Sequence, residues 1–285
     1  MRSPRRAAQV GAVALGAILA TFVLAILAPT AAGAYGDTAR RTRTAPQYWI
    51  AVAGTISAIE GEDRSIAHAV FGSAHTIALG SGPGSIAISW ASYTKFAADL
   101  EAGRIASTVR AVMYDPEAWD ATPLAEQQDP VHYIEKFVQL AHLHGYFAIV
   151  TPHPGLVSVK AAACEQRDGE TQEAAYVRCR IAEGAARYAD AYETQAQILE
   201  RNPGAYRAFV LATALQARKA NPDVVVLSGL STAPGYPAPS LVLYSAWNSV
   251  RDIVDGHYLS LAGPDRTTAR ASAASFLRLI AAPGR

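Results

Sequence analysis

The sequence predicts a single (β/α)8-type barrel, and three observations lead there. Apolar runs that read as buried strands recur along the chain, several of them end in acids or other polar groups, and segments with helical periodicity separate them. In such a barrel the chemistry gathers where the strands end, at their C-terminal rim. The N-terminal part of the barrel is expected to be irregular or incomplete.

The first strand is Tyr48 to Ala53. His75 to Leu79 and Ser85 to Trp90 follow, but the turn from Gly80 to Gly84 is too short for a crossover helix, so either this region is irregular or one run is not a strand. Between Ala53 and His75 no element is legible. The run from Val109 ends in Asp115, Pro116, Glu117 and Trp119. Asp129-Pro130 then supplies an N-cap and a first-turn proline; Ile134, Phe137, Val138 and Ala141 share one helical face, and Gly145 ends the helix. Tyr146 to His153 and Tyr188 to Gln197 read as strands. Asn202-Pro203 opens the next helix, and Asn221-Pro222 stops it before the apolar run from Val224 to Leu227. Ser240 to Val254 reads as a helix, Gly256 to Ala262 as the last strand, and Thr267 to Ile280 as the closing helix, for seven or eight βα units.

Residues 1–34 have the form of a signal peptide: Arg2, Arg5 and Arg6, an apolar run from Ala12 to Leu27, and Ala32-Gly33-Ala34 as the cleavage site. An uncleaved membrane anchor is the alternative, and Arg5-Arg6 raises a twin-arginine signal as a minor one. Residues 35–47 are then a linker and 48–285 the barrel domain, close to the ~250 residues typical of the fold. Cleavage removes three Arg and no acid, taking the formal charge from +1 to −2. Beyond Arg40, Arg41 and Arg43 no basic block remains, so nucleic-acid binding has no electrostatic support. The expected location is outside the cell, with no stable membrane association after cleavage. Cys164 and Cys179 are the only cysteines. In an exported chain they read as a disulfide, and closing a loop of ~15 residues contributes roughly 3 kcal/mol in the chain-entropy model.

Asp115 and Glu117 share strand parity with Ala111 and Met113, although Pro116 can break it; the bland alternative is a solvated turn. Glu193 alternates with Ala189, Ala191, Gln195 and Gln197 along one strand face, against the alternative of an amphipathic helix from Ala185 to Leu199 with Glu193 in water. Paired carboxyls at a barrel mouth suit glycosidic-bond cleavage, in which one donates a proton and another faces the developing cation. Trp90 and Trp119 are candidate sugar platforms, and Tyr114, Tyr192, His153 and Gln195 candidate substrate-binding residues. His142 and His144 lie at a helix end and read as structural. No nucleotide loop or serine-hydrolase elbow is present.

Asp115-Pro116-Glu117 resembles the last three positions of the Asp-x-x-Asp-x-Asp-x-Glu strand end of family 18 glycoside hydrolases, the chitinase-like proteins, with Arg110 and Met113 where the two earlier acids belong. Ile149 to Pro154, Gln195 or Gln197, and Leu227 to Ser231 follow in a chitinase-like order. The resemblance implies Glu117 as general acid and Asp115 as holder of a substrate acetamide. The expectation is an exported glycoside hydrolase acting on a polysaccharide or glycoconjugate without cofactor or metal, with Glu117 as acid and Asp115 or Glu193 as partner. Two other readings stand beside it: a non-catalytic carbohydrate-binding barrel, and a metal-dependent hydrolase or isomerase using Asp115, Glu117, His153 and Glu193.

Overall fold

The computed structural model describes residues 47–80, 84–232, 238–262 and 266–282. The expected signal peptide, its cleavage site and all of the linker but Gln47 lie outside them. Eight parallel strands close on themselves in chain order, β1 Tyr48–Val52, β2 Thr76–Leu79, β3 Ala87–Trp90, β4 Ala111–Tyr114, β5 Phe147–Val150, β6 Ala191–Thr194, β7 Val225–Ser231 and β8 Gly256–Ser260. The helices are α1 Ala53–Glu62, α2 Arg64–Phe71, α3 Tyr93–Glu101, α4 Leu124–Gln128, α5 Pro130–Leu143, α6 Gln172–Arg178, α7 Ile181–Ala186, α8 Pro203–Ala220, α9 Ser240–Val250 and α10 Arg266–Ala281. This is the expected (β/α)8 barrel.

The pleat sorts the strand residues into two layers. Inside the barrel, Ile50, Ile77, Leu79, Ala111, Met113, Ile149, Ala191 and Leu227 pack on one another. Their strand neighbours, among them Trp49, Val112, Tyr114, Val150, Tyr192 and Val226, face outward onto the helices. Closure needs a glycine at one point: a Cβ on Gly256 would run into the Tyr48 carbonyl oxygen, where β8 pairs with β1.

Both early runs are strands, and both are shorter at the N-terminal end than their sequence suggests. β2 and β3 pair in parallel through Leu79 and Ala87, reinforced by hydrogen bonds from Gly80 N–H to the Ala87 oxygen (2.8 Å) and from Ile86 N–H to the Ala78 oxygen (3.1 Å). The irregularity is thus a missing crossover helix, not a missing strand. The illegible stretch before β2 holds α1 and α2. α1 buries only Thr55 and Ile59, which leaves no apolar stripe to read, whereas α2 carries a detectable signal: Asp63 accepts the Ile66 N–H at 3.1 Å, and Ile66, Ala67, Val70 and Phe71 are buried.

The caps expected further on are present. Asp129 accepts from His132 N–H ahead of α5, and Asn202 accepts from Ala205 N–H ahead of α8, each with proline in the first turn. Gly145 has φ +75° after α5, a conformation that suits glycine. Cys164 and Cys179 form a disulfide, with Cα atoms 5.8 Å apart, across the segment between β5 and α7.

Glu126 on α4 is 1% exposed, and five donors converge on it. It accepts from Tyr93 N–H (2.7 Å), Thr94 N–H (3.0 Å), Thr94 Oγ1 (2.8 Å), Ser92 Oγ (3.1 Å) and the Tyr114 hydroxyl (2.8 Å). One carboxyl group therefore satisfies the open first turn of α3 and ties it to the outer face of β4. Glu126→Ala is expected to cost roughly 3 kcal/mol, because it strands the Tyr114 hydroxyl and two amides in the interior. Glu126→Gln, which keeps an acceptor oxygen, should lose less. Urea unfolding checks this, and an alanine variant within about 0.5 kcal/mol of wild type would contradict it.

Candidate active site

The strand C-termini open into a cleft of about 980 Å³ whose wall includes Asp115, Glu117, Thr151, His153, Glu193, Gln195, Arg201 and Tyr258. Strand pairing continues past the end of β4 and carries the acids there. Asp115 N–H donates to the Trp90 oxygen (2.9 Å), Thr151 N–H to the Tyr114 oxygen (3.0 Å), and His153 N–H to the Pro116 oxygen (3.0 Å). Asp115 therefore keeps the inward parity of Ala111 and Met113 despite Pro116.

Glu117 is held through its backbone. The Thr122 hydroxyl accepts from Glu117 N–H (3.1 Å) and from the Trp119 indole N–H (3.1 Å), and donates to the Ala91 oxygen (2.9 Å). Thr122 is 1% exposed, so this loop is braced from inside. Glu193 stands on β6, one inward position above Ala191, which rules out the solvated helix considered from the sequence. Room for its carboxyl comes from Gly229 on the neighbouring β7, where a Cβ would collide with Glu193 Oε1 and Gln197 Nε2.

Three carboxyls in one desolvated mouth cannot all ionise cheaply. Burial pushes Glu193 up to about 8, with the Asp115 charge adding to the push, and Oε1 has no hydrogen-bond partner among the described residues. Burial also pushes Asp115 up to about 7, the Glu117 charge adds to it, and the Gln195 amide opposes it. That amide donates to Asp115 Oδ1 at 2.7 Å and to the Thr151 oxygen at 2.8 Å. Glu117 is raised by burial alone. Burial lowers His153, with Glu173 pulling the other way. The Tyr258 hydroxyl is raised, first by burial and then by the charges of Glu193 and Asp115.

The structure thus brings Asp115, Glu117, Glu193, Gln195 and His153 to one cleft and takes four other candidates away from it. Trp90, 6% exposed, faces outward onto Phe96 and donates its indole N–H to Asp99 at 2.8 Å. Tyr114 and Tyr192 also face the helices, donating to Glu126 and pairing hydroxyls with Tyr176 at 2.9 Å. The strand pleat puts all three in the outer layer, so none can serve as a sugar contact in this cleft. Trp119 is 48% exposed on the loop before α4 and is not part of the cleft wall. His142 pairs with Asp190 at 2.9 Å, a structural contact.

Sequence reading missed Tyr258, Ser260, Ser89 and Arg201 in the cleft wall; Gln197 and Ser231, which also line it, entered only through the strand face of Glu193 and the chitinase-like order of strand ends. Ser89, Tyr258 and Ser260 are signalled only by inward parity at a strand end, which needs the register to be known. The four side chains considered as metal ligands do not form a ligand set: among the described residues no three His, Cys, Asp or Glu side chains are grouped to hold an ion.

No protein-family model matches the chain, and no curated protein matches it. The family 18 resemblance therefore rests on Asp115, Pro116, Glu117 and the order of strand ends. Among solved structures the chain is similar to a protein of Bacteroides thetaiotaomicron VPI-5482, provisionally assigned as an alpha-L-fucosidase, at 12% identity and a TM-score of 0.44, over 66% of this chain and 61% of that one. Likeness at this level carries no inference about activity, and the chemistry of the cleft has to come from its own residues.

The raised Glu193 has a consequence for stability. In the unfolded chain this carboxyl ionises near ~4.3, in the folded one only near 8. Between those values the unfolded state gives up its proton and the folded state keeps it, so folding loses free energy as pH rises through the window. Glu193→Gln removes that loss, roughly 5 kcal/mol at its largest. The buried His257, held down to about 3, works in the opposite sense: it costs stability as pH falls below its ordinary value, equally in both proteins. The variant should therefore melt above wild type at pH 8, with the gap closing toward pH 4. Thermal melts across that range would contradict the assignment if the gap did not change with pH.

Proposed function

We propose that the protein is a glycoside hydrolase-like barrel that cleaves a polysaccharide or glycoconjugate by acid-assisted catalysis. The observation that carries this reading is the convergence of Asp115, Glu117 and Glu193 on one cleft, all three with raised proton affinity. A glycosidic oxygen is a poor leaving group until protonated, so the reaction needs a carboxyl still protonated near neutral pH and a nearby negative charge.

Glu117 is the general acid. It hands its proton to the glycosidic oxygen as the bond from that oxygen to the anomeric carbon breaks, and the bonding pair leaves with the oxygen. Asp115 and Glu193 together hold about one negative charge, favoured on Asp115 because only it receives the Gln195 amide. That charge faces the positive anomeric carbon. Water adds there, and its proton goes to a cleft carboxylate.

Export is part of the same proposal. The disulfide suits an oxidising compartment, and among the described residues no helix is long and apolar enough to cross a membrane. The secreted form should begin at Tyr35, which intact-mass measurement of protein recovered from the medium reads directly; a retained presequence would overturn the cleavage assignment.

Glu117→Gln keeps the shape of the side chain but has no proton to give. It should abolish turnover of a panel of soluble oligosaccharides while circular dichroism stays unchanged. Asp115→Asn and Glu193→Gln should each impair turnover strongly, with the Asp115 change the more damaging if an acetamide group takes part in the attack. Wild-type rates in Glu117→Gln would sink the assignment. An inert wild type that still binds glycans would move the protein to the carbohydrate-binding class.

A further inference from the structure

His153 sits between two prolines just after β5, and its backbone N–H is spent on the Pro116 oxygen, so the ring is fixed beside the segment that carries Asp115 and Glu117. The residues that follow, Pro154–Ser158, form a single 3-10 turn. Pro154 has no N–H, so the first amide in the turn is that of Gly155, and it donates to His153 Nδ1 at 2.9 Å. The approach is close enough that a Cβ on Gly155 would also stand 2.9 Å from Nδ1. The imidazole thus plays the part that Ser, Asn or Asp usually plays at the start of a turn.

A backbone amide can only donate, which fixes the protonation pattern of the ring. Nδ1 must carry a lone pair, so the single proton of the neutral imidazole lies on Nε2. Nε2 meets no acceptor among the described residues, and the ring lines the cleft. We infer that His153 is a fixed, neutral hydrogen-bond donor that presents Nε2–H to an uncharged acceptor oxygen of the substrate, such as a sugar hydroxyl or an acetamide carbonyl. The substrate contact rests on the glycoside reading above; the tautomer does not.

Two other roles for the ring are closed by the same geometry. A metal ligand or general base would need a lone pair on Nε2, which would move the proton to Nδ1 and point it at the Gly155 N–H. An imidazolium would face the same clash. The groups near the ring pull in both directions: burial disfavours its charge, Glu173 on α6 favours it, and Asp115 and Glu117 stand on the neighbouring segment. The Gly155 amide adds to burial.

Long-range 1H–15N spectra of histidine-labelled protein, with His153 assigned by its loss in His153→Ser, test the tautomer. The expected result is an unprotonated Nδ1 and a protonated Nε2 at pH 7, unchanged down to below the ordinary histidine range. A proton on Nδ1, or a doubly protonated ring at pH 7, would overturn the inference. The contact is tested by oligosaccharide binding to Glu117→Gln with and without His153→Ser. Serine still offers an acceptor to the Gly155 N–H but is too short to place a donor where Nε2–H stands, so affinity should fall about tenfold with little change in melting temperature. Equal affinity would leave His153 a cap alone and overturn the contact. If neither protein binds any glycan, the carbohydrate reading fails, and the spectra decide the state of the ring by themselves.

Discussion

Everything at the mouth of this barrel depends on one constraint: a closed sheet must turn every second side chain inward. Below the rim the inward positions are filled by Ile50, Ile77, Ala111, Met113, Ile149, Ala191 and Leu227, which exclude water. Asp115 and Glu193 occupy the next inward positions, just past the end of β4 and on β6, so they have apolar side chains beneath them and each other nearby. Desolvation and mutual repulsion then follow from position, and with them the raised proton affinity that acid catalysis requires.

Such a site stands against the stability of the fold, and the neighbouring residues show where the strain is taken up. Gln195 donates to Asp115, the continued pairing of Asp115, Thr151 and His153 keeps the rim in register, and Thr122 braces the loop that bears Glu117. Glu193 has less help: Thr151 opposes the rise in its proton affinity, but Oε1 meets no hydrogen-bond partner among the described residues, and the neighbouring Gly229 supplies space instead. The contrast with Glu126 is instructive. Both are buried glutamates, but five donors surround Glu126, which locks α3 to β4, while Glu193 is left with an unsatisfied oxygen facing a cleft. Full satisfaction marks a structural carboxyl, and poor satisfaction in a cleft marks one with something left to bind.

Much of the fold was legible because its signals are local. Asp129-Pro130 and Asn202-Pro203 announce α5 and α8 through capping chemistry, and the apolar runs announce β4 to β8. The acids were legible too, because alternation from Ala111 to Asp115 and from Ala191 to Glu193 is a property of one strand. What failed was side-chain direction for aromatics: Trp90, Tyr114 and Tyr192 look like platforms at strand ends, yet each falls on the outward parity and packs under a helix. Cleft residues from β8 and the turn before α8, such as Tyr258 and Arg201, were missed because only ring closure brings them opposite β4. α1 escaped notice for a simpler reason, since it buries two residues and has no clear apolar face.

The central claim is that burial in the cleft raises the proton affinity of its carboxyls well above that of exposed acids. Carboxyl 13C resonances of Asp- and Glu-labelled protein, followed from pH 3 to pH 9, address it most directly. The account predicts one side-chain carboxyl titrating near 7 and two near 8: the first is absent from Asp115→Asn, one of the other two is absent from Glu193→Gln, the remaining member of that pair shifts to lower pH in each variant, and the third, the buried Glu200, stays in both. If Asp115 and Glu193 instead titrate near ~4 with the exposed acids, the mouth of the barrel is not desolvated, and the burial that raises Glu117, the proposed donor, loses its support.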